Sequence, residues 1–242
     1  MRIANGVYVL PIPRSPQEAE SYLNLTLIVD EENGTTLVDA GLPDQKEAIG
    51  AALVEAGIGV SDLRRIIFTH QDLDHVGSGA ALVRQSGARV LAHPADEPYI
   101  DGSLRPLKPT PEMLEQRPHM RKVIARLEPV GVDEQVGNDT RLDLVGGTQV
   151  VFTPGHTPGH ISLYLEGSKV LVAGDALTAD GGHLNGPNPW ATLDMRTATR
   201  SVKRLADLDI DTIVCYHGGV VSEDANGQLR RVIRETTANG KE

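Results

Sequence analysis

The chain has 242 residues, enough to bury a sizeable core as one large domain or two small ones. It carries 33 Asp and Glu against 23 Lys and Arg, a net charge of -10, and only 3% aromatic residues. That balance argues against a nucleic-acid backbone, a stacking platform for single strands or an anionic membrane as partner.

Val7 to Pro13 reads as a short strand whose prolines place it at a sheet edge, followed by a polar loop over Arg14 to Glu20. Tyr22 to Val29 and Thr35 to Val38 form a hairpin across Glu32-Asn33-Gly34. Asp44 is placed to cap a helix running to about Ala56, with a stop at Gly57. A strand from Arg65 to Phe68, a helix from Ser78 to Gln85 and a strand from Arg89 to Ala92 follow. This alternation predicts a layered α/β architecture.

Residues 94 to 130 differ in character, with prolines at 94, 98, 106, 109, 111, 118 and 129. Apart from a helix over Pro118 to Leu127, the segment reads as irregular, an inserted lid covering one side of a site. Beyond it, Arg141 to Leu144 and Thr148 to Phe152 form a hairpin around Gly146-Gly147, and Ile161 to Leu165 and Lys169 to Ala173 are strands. Asp194 caps a helix bearing Met195, Ala198, Val202 and Leu205 on one face. A strand from Thr212 to Tyr216 and a helix from Gln228 to Thr237 close the chain. With no repeat and no linker, residues 1–242 are expected to form one domain.

Chemistry concentrates where apolar runs end. Ile66-Ile67-Phe68 is followed by Thr69-His70-Gln71-Asp72-Leu73-Asp74-His75, two imidazoles and two carboxylates within six residues on what reads as a loop. Three further runs deliver His156, Asp175 and His217. Imidazole nitrogen with carboxylate oxygen suits zinc, iron or manganese. The seven groups His70, Asp72, Asp74, His75, His156, Asp175 and His217 could fill two adjacent four-coordinate sites if one carboxylate bridges. Glycines at 155, 174, 218 and 219 let the backbone turn sharply beside them.

The chain resembles the metallo-β-lactamase superfamily in Leu37-Val38-Asp39-Ala40-Gly41, in Thr69 to His75, in Thr153-Pro154-Gly155-His156-Thr157-Pro158-Gly159-His160, in Gly174-Asp175 and in His217-Gly218. The resemblance implies a four-layer αβ/βα sandwich with a metal site at the sheet edge. By position, a first metal would take His70, Asp72 and His156, and a second Asp74, His75 and His217, with Asp175 bridging and Asp39 supporting from behind. The family's motif reads H-x-H-x-D-H, so Asp72 stands where its second histidine would be. The added negative charge favours harder metals, which keeps iron and manganese beside zinc, the first choice at two per chain.

The expected function is metal-dependent hydrolysis of a small ester, thioester or lactone by an activated water, with Asp74 and Asp175 in catalytic roles. An iron-dependent sulfur dioxygenase on the same fold is the alternative, and a nucleic-acid phosphodiesterase a weaker one. His183, in the glycine-rich stretch Asp180 to Pro189, is a candidate substrate contact. His160 is expected to support the site loop, His93 to sit in an outer layer, His119 to lie on the surface or lid, and Trp190 to pack under the site loop. The lone Cys215 precludes an internal disulfide and reads as buried. Without a signal-peptide layout at Met1 to Gly6 or an apolar run near ~20 residues, a cytoplasmic protein is expected, with a small-molecule substrate and a homodimer allowed for.

Overall fold

Alternating side chains along a strand sort apolar residues onto the two faces of a sheet. In the computed structural model, which describes residues 1–14 and 21–239, the first half of the chain supplies β1 (Arg2–Ala4), β2 (Val7–Pro13), β3 (Tyr22–Asp30), β4 (Gly34–Val38), β5 (Leu63–Ile67), β6 (Arg89–Ala92) and β7 (Glu134–Gln135). These lie side by side in chain order, antiparallel up to β4 and parallel after it. The second half supplies β8 (Arg141–Leu142), β9 (Thr148–Phe152), β10 (Ile161–Leu165), β11 (Val170–Gly174), β14 (Thr212–Cys215) and β15 (Gly219–Val221), ordered β15-β14-β11-β10-β9-β8. Between them in sequence, β12 (Thr178–Asp180) and β13 (His183–Asn185) pair as a separate hairpin.

The alternation is clean in the second sheet. Ile161, Leu163 and Leu165 of β10 face Val9, Ile28, Val38 and Ile67 of the first sheet and form the core between the sheets. Leu171, Ile213 and Cys215 face outward and are covered by Val202 of α7 (Met195–Lys203) and Leu229 and Val232 of α8 (Ala225–Asn239). On the far side, Leu25, Leu27, Leu37 and Ile66 are covered by Ile49 and Leu53 of α1 (Lys46–Glu55) and Leu82 of α3 (Gly79–Ser86). The result is the expected four-layer αβ/βα sandwich.

Several local expectations change. β1 pairs with β2, so β2 is not the outermost strand; Pro11 and Pro13 nevertheless lie beyond the reach of β1, which contacts only Val7 and Tyr8. Asp44 does not cap α1. It sits at φ +70 and its carboxylate meets Arg126 at 2.8 Å, while Gln45 precedes the helix and accepts the Leu42 N–H through Oε1 at 2.8 Å. Asp194 caps α7 as predicted, its Oδ1 accepting the Thr197 N–H at 3.0 Å. The final helix begins at Ala225 rather than Gln228. The lid segment contains three short helices, α4 (Glu97–Ile100), α5 (Pro111–Gln116) and α6 (Met120–Ile124). Of the loop expected over Arg14 to Glu20, all but Arg14 lies outside the described residues.

Two polar ties lock the sheets together. At one edge, the Asn24 backbone N–H and Nδ2 both donate to the Tyr216 carbonyl, at 3.0 and 3.1 Å, beside a bridge between Leu23 and His217. At the other, Asp30 accepts N–H bonds from Asn33 (2.7 Å), Val145 (2.6 Å) and Glu32 (3.0 Å). The Asn33 and Val145 amides hold its carboxyl below the usual range. A folded-state value below the unfolded one stabilises above the unfolded pKa, and the gain disappears as pH falls through the lowered value. Asp30→Ala is therefore expected to cost about 1–3 kcal/mol at neutral pH. In denaturant unfolding, the difference from wild type should shrink in acid.

Candidate metal centre

The four apolar runs become strands whose C-terminal ends meet at one edge, and each end delivers its ligand-type side chains there. His70 follows β5, His156 follows β9, Asp175 follows β11 and His217 follows β14. Asp74 and His75 are not on a loop, as the sequence suggested, but on α2 (Leu73–Val76), one helical turn that Asp72 precedes. All seven predicted groups come together. Asp175 lies 3.4 Å from His75 Nε2, 3.3 Å from His156 Nε2 and 3.4 Å from His217 Nε2. Asp72 Oδ2 lies 3.3 Å from His70 Nε2 and 3.0 Å from His156 Nε2, and Asp74 Oδ2 lies 3.5 Å from His217 Nε2. His70, His156 and Asp175 form one group with metal-ligand spacing, and Asp74, His75 and His217 another.

A second layer aims these side chains. Asp39, held at φ +65, accepts the Thr69 N–H at 2.8 Å and the Thr69 hydroxyl at 2.9 Å. Its Oδ2 lies 2.9 Å from His75 Nδ1. A proton on that Nδ1 leaves the Nε2 lone pair facing the centre. His160 uses both ring nitrogens for support: Nε2 accepts the Asp175 N–H at 2.9 Å and Nδ1 meets Thr153 Oγ1 at 2.9 Å. Burial, together with His156, pushes its imidazole down to about 3, so it stays neutral. Gly174 turns at φ +54 against this ring, where a Cβ would stand 2.7 Å from His160 Nε2.

Sequence reasoning missed Asp96. Its Oδ2 accepts the Gln71 N–H (3.0 Å) and the Thr157 hydroxyl (2.6 Å), and its Oδ1 accepts the Gly159 N–H (2.7 Å). One buried carboxylate thus clamps the His70 loop to the His156 loop. The close approach requires glycine at 159, where a Cβ would stand 2.6 Å from the Asp96 nitrogen.

The centre fits a cation. His70 Nε2, His75 Nε2, Asp72 Oδ1 and Asp175 Oδ1 are buried and have no hydrogen-bond partner among the described residues. Each such atom costs about 1–3 kcal/mol if left without a partner, and more when charged. Opposed effects set the charges. Burial alone would raise Asp175, but His217, His75 and His156 hold it well below the carboxylate range. Burial alone would lower His75, but Asp39 and Asp175 raise it well above the usual imidazole value. Carboxylates, and imidazoles that give up the Nε2 proton to a metal, suit zinc, iron or manganese in this arrangement.

Sequence reasoning also missed Lys108. It comes from the lid segment, its side chain is 6% exposed, and its Nζ lies 2.5 Å from Asp72 Oδ2. Above the centre opens a cleft of about 1020 Å³, floored by Asp72, Asp74, Asp175 and His217 and walled on the lid side by Met113, Arg117, His119, Met120 and Val123. Trp190 is part of that wall under the Arg117 guanidinium, 4.2 Å from it, rather than beneath the site loop. His183 is exposed on β13 and is not among the lining residues, so the cleft does not include it. His93 stacks on Phe152 with ring centres 4.3 Å apart, and Cys215 is buried.

Comparison with known proteins agrees with this geometry. The sequence model of the metallo-beta-lactamase superfamily matches residues 21–217, and the chain belongs to that superfamily of metal-dependent hydrolases. It is 29% identical over 210 residues to the probable metallo-hydrolase YflN of Bacillus subtilis (strain 168), covering 78% of this chain and 76% of that protein. It is 28% identical over 209 residues to the hydroxyacylglutathione hydrolase GloC of Haemophilus influenzae, covering 86% and 90%. Among solved structures, the metallo-beta-lactamase family protein TTHA1429 of Thermus thermophilus superposes with a TM-score of 0.74 at 27% identity, covering 97% of this chain and 80% of that one. No helix among the described residues is long and apolar enough to cross a membrane.

Removing the outer support of His75 should loosen metal binding without touching a ligand. Asp39→Ala is expected to weaken zinc affinity roughly 10–100-fold. Competition with a chromogenic chelator would measure it.

Proposed function

We propose that the protein is a metal-dependent hydrolase of a small acyl substrate, with a thioester placed ahead of an ester or lactone. The observation that carries this reading is the set of buried nitrogen and oxygen atoms without a hydrogen-bond partner among the described residues, beside the floor of an open cleft. A divalent metal held there would polarise a carbonyl and lower the pKa of water from 15.7 to about 7.

The chain's own groups divide the remaining work. Asp74 and Asp175 can orient a water and accept its proton from the cleft side. Tyr216 donates its hydroxyl to the Asp74 carbonyl, which fixes the turn carrying that carboxylate. Burial, then the nearby Asp39, pushes the phenol well above its usual value, so it remains a donor. Met113, Met120 and Val123 offer an apolar wall for the acyl chain, and Arg14 and Arg117 offer positive charge for an anionic group on the substrate. The name of the GloC relative supports the thioester, since an acylated glutathione is one. The lid reading of residues 94 to 130 is supported by α5 and α6, which wall the cleft.

Zinc-loaded protein is expected to hydrolyse members of a thioester, ester and lactone panel, to lose activity in chelator and to regain it with added zinc. Asp175→Ala should lose metal and activity together, and an active, metal-free variant would contradict the proposal. Arg117→Ala should raise KM for anionic substrates about tenfold with kcat little changed, because it removes binding made equally in ground and transition states. Oxygen uptake on a persulfide by an iron-loaded preparation, with no hydrolysis, would favour the dioxygenase instead.

A further inference from the structure

A lysine stands against two members of what should be a metal's ligand set, Asp72 and His156. Lys108 Nζ forms an ion pair with Asp72 Oδ2 at 2.5 Å and hydrogen bonds to His156 Nε2 at 2.8 Å and the Ala191 carbonyl at 2.7 Å. An ammonium is a donor only, so its N–H groups go to His156 and Ala191 while its charge is set against Asp72. The placement is anchored on the main chain as well, since the neighbouring Leu107 N–H donates to Gln71 Oε1, inside the ligand motif, at 3.0 Å. Lysine is almost never this buried unless paired, and here it is paired on every side.

We propose that the Lys108 ammonium takes the place of the first metal, and that the chain carries a single divalent metal held by Asp74, His75, Asp175 and His217. This rests on the reading of the site as a metal centre, and it revises the expectation of two metals per chain.

Three observations support it. First, the ammonium stands 2.8 Å from His156 Nε2, the atom a zinc ion would need at about 2.0–2.1 Å, so the two compete for one position; Asp72 Oδ2 lies 3.0 Å from the same nitrogen. The other nitrogen of that ring faces Thr192 Oγ1 at 3.3 Å. Second, a divalent ion among His70, Asp72 and His156 would sit against a positive charge held in place by the Ala191 carbonyl and by the Leu107 tie to Gln71. Third, the motif's departure acquires a reason. A carboxylate at 72 matches an ammonium in charge, which a neutral imidazole, able only to accept from it, would not. Asp72 is thus explained by Lys108 rather than by a harder metal. The metal is placed on the other side, where no lysine stands among the ligands; there His75 Nε2 and Asp175 Oδ1 have no hydrogen-bond partner among the described residues, as His70 Nε2 and Asp72 Oδ1 have none beside Lys108.

The test is metal stoichiometry. Wild type, Lys108→Arg and Lys108→Ala are stripped, loaded with excess zinc, desalted and measured by elemental analysis against protein concentration. One zinc per chain is expected for wild type and for Lys108→Arg, and two for Lys108→Ala, whose His70, Asp72 and His156 are then free to bind. Two zinc in wild type, or one in a folded Lys108→Ala, would overturn the inference while leaving the metal centre intact. No zinc in any of them would overturn the metal centre itself and the inference with it. Should Lys108→Ala not fold, titration of wild-type apoprotein decides: saturation at one equivalent supports the inference, and at two overturns it.

Discussion

Three carboxylates and four imidazoles converge at one sheet edge, and such a cluster persists only if positive charge is set among it. Unpaired, Asp72, Asp74 and Asp175 would repel one another across a few ångströms of low-dielectric interior. The chain meets this need in two ways. Where Asp72 and His156 meet, it brings its own cation, Lys108. Where Asp74, His75, Asp175 and His217 meet, it leaves ligand atoms open for a metal to fill.

Much of the remaining architecture serves that edge. Asp39 accepts bonds from Thr69 and faces His75, so β4 sets the orientation of ligands delivered by β5 and α2. Asp96 ties the two ligand loops from opposite sheets. His160 braces the backbone at Asp175. Because Lys108 belongs to the same segment as α5 and α6, the charge balance of the centre and the shape of the cleft wall depend on one piece of chain.

The layered α/β architecture and the seven converging groups were legible in the sequence because both rest on local signals, while the four-layer sandwich followed from the family resemblance. Strand-end His and Asp residues follow apolar runs directly, and the alternation along β10, β11 and β14 is unbroken. Lys108 and Asp96 were not legible. Each acts through partners far away in the chain, Lys108 on residues 72, 156 and 191, and Asp96 on 71, 157 and 159. Both lie in or beside a proline-rich stretch whose composition suggests only irregularity. His183 failed for the opposite reason. A glycine-rich neighbourhood implied a pocket loop, but the glycines at 181 and 182 turn a hairpin whose histidine is exposed. Asp44 had the identity of a cap but not the backbone for it.

The most direct measurement is anomalous diffraction at the zinc edge from crystals of zinc-loaded protein. One peak is expected per chain, within coordination distance of Asp74, His75, Asp175 and His217, with Lys108 Nζ still seated between Asp72 and His156. Two peaks per chain, or a peak among His70, Asp72 and His156 with Lys108 displaced, would contradict it.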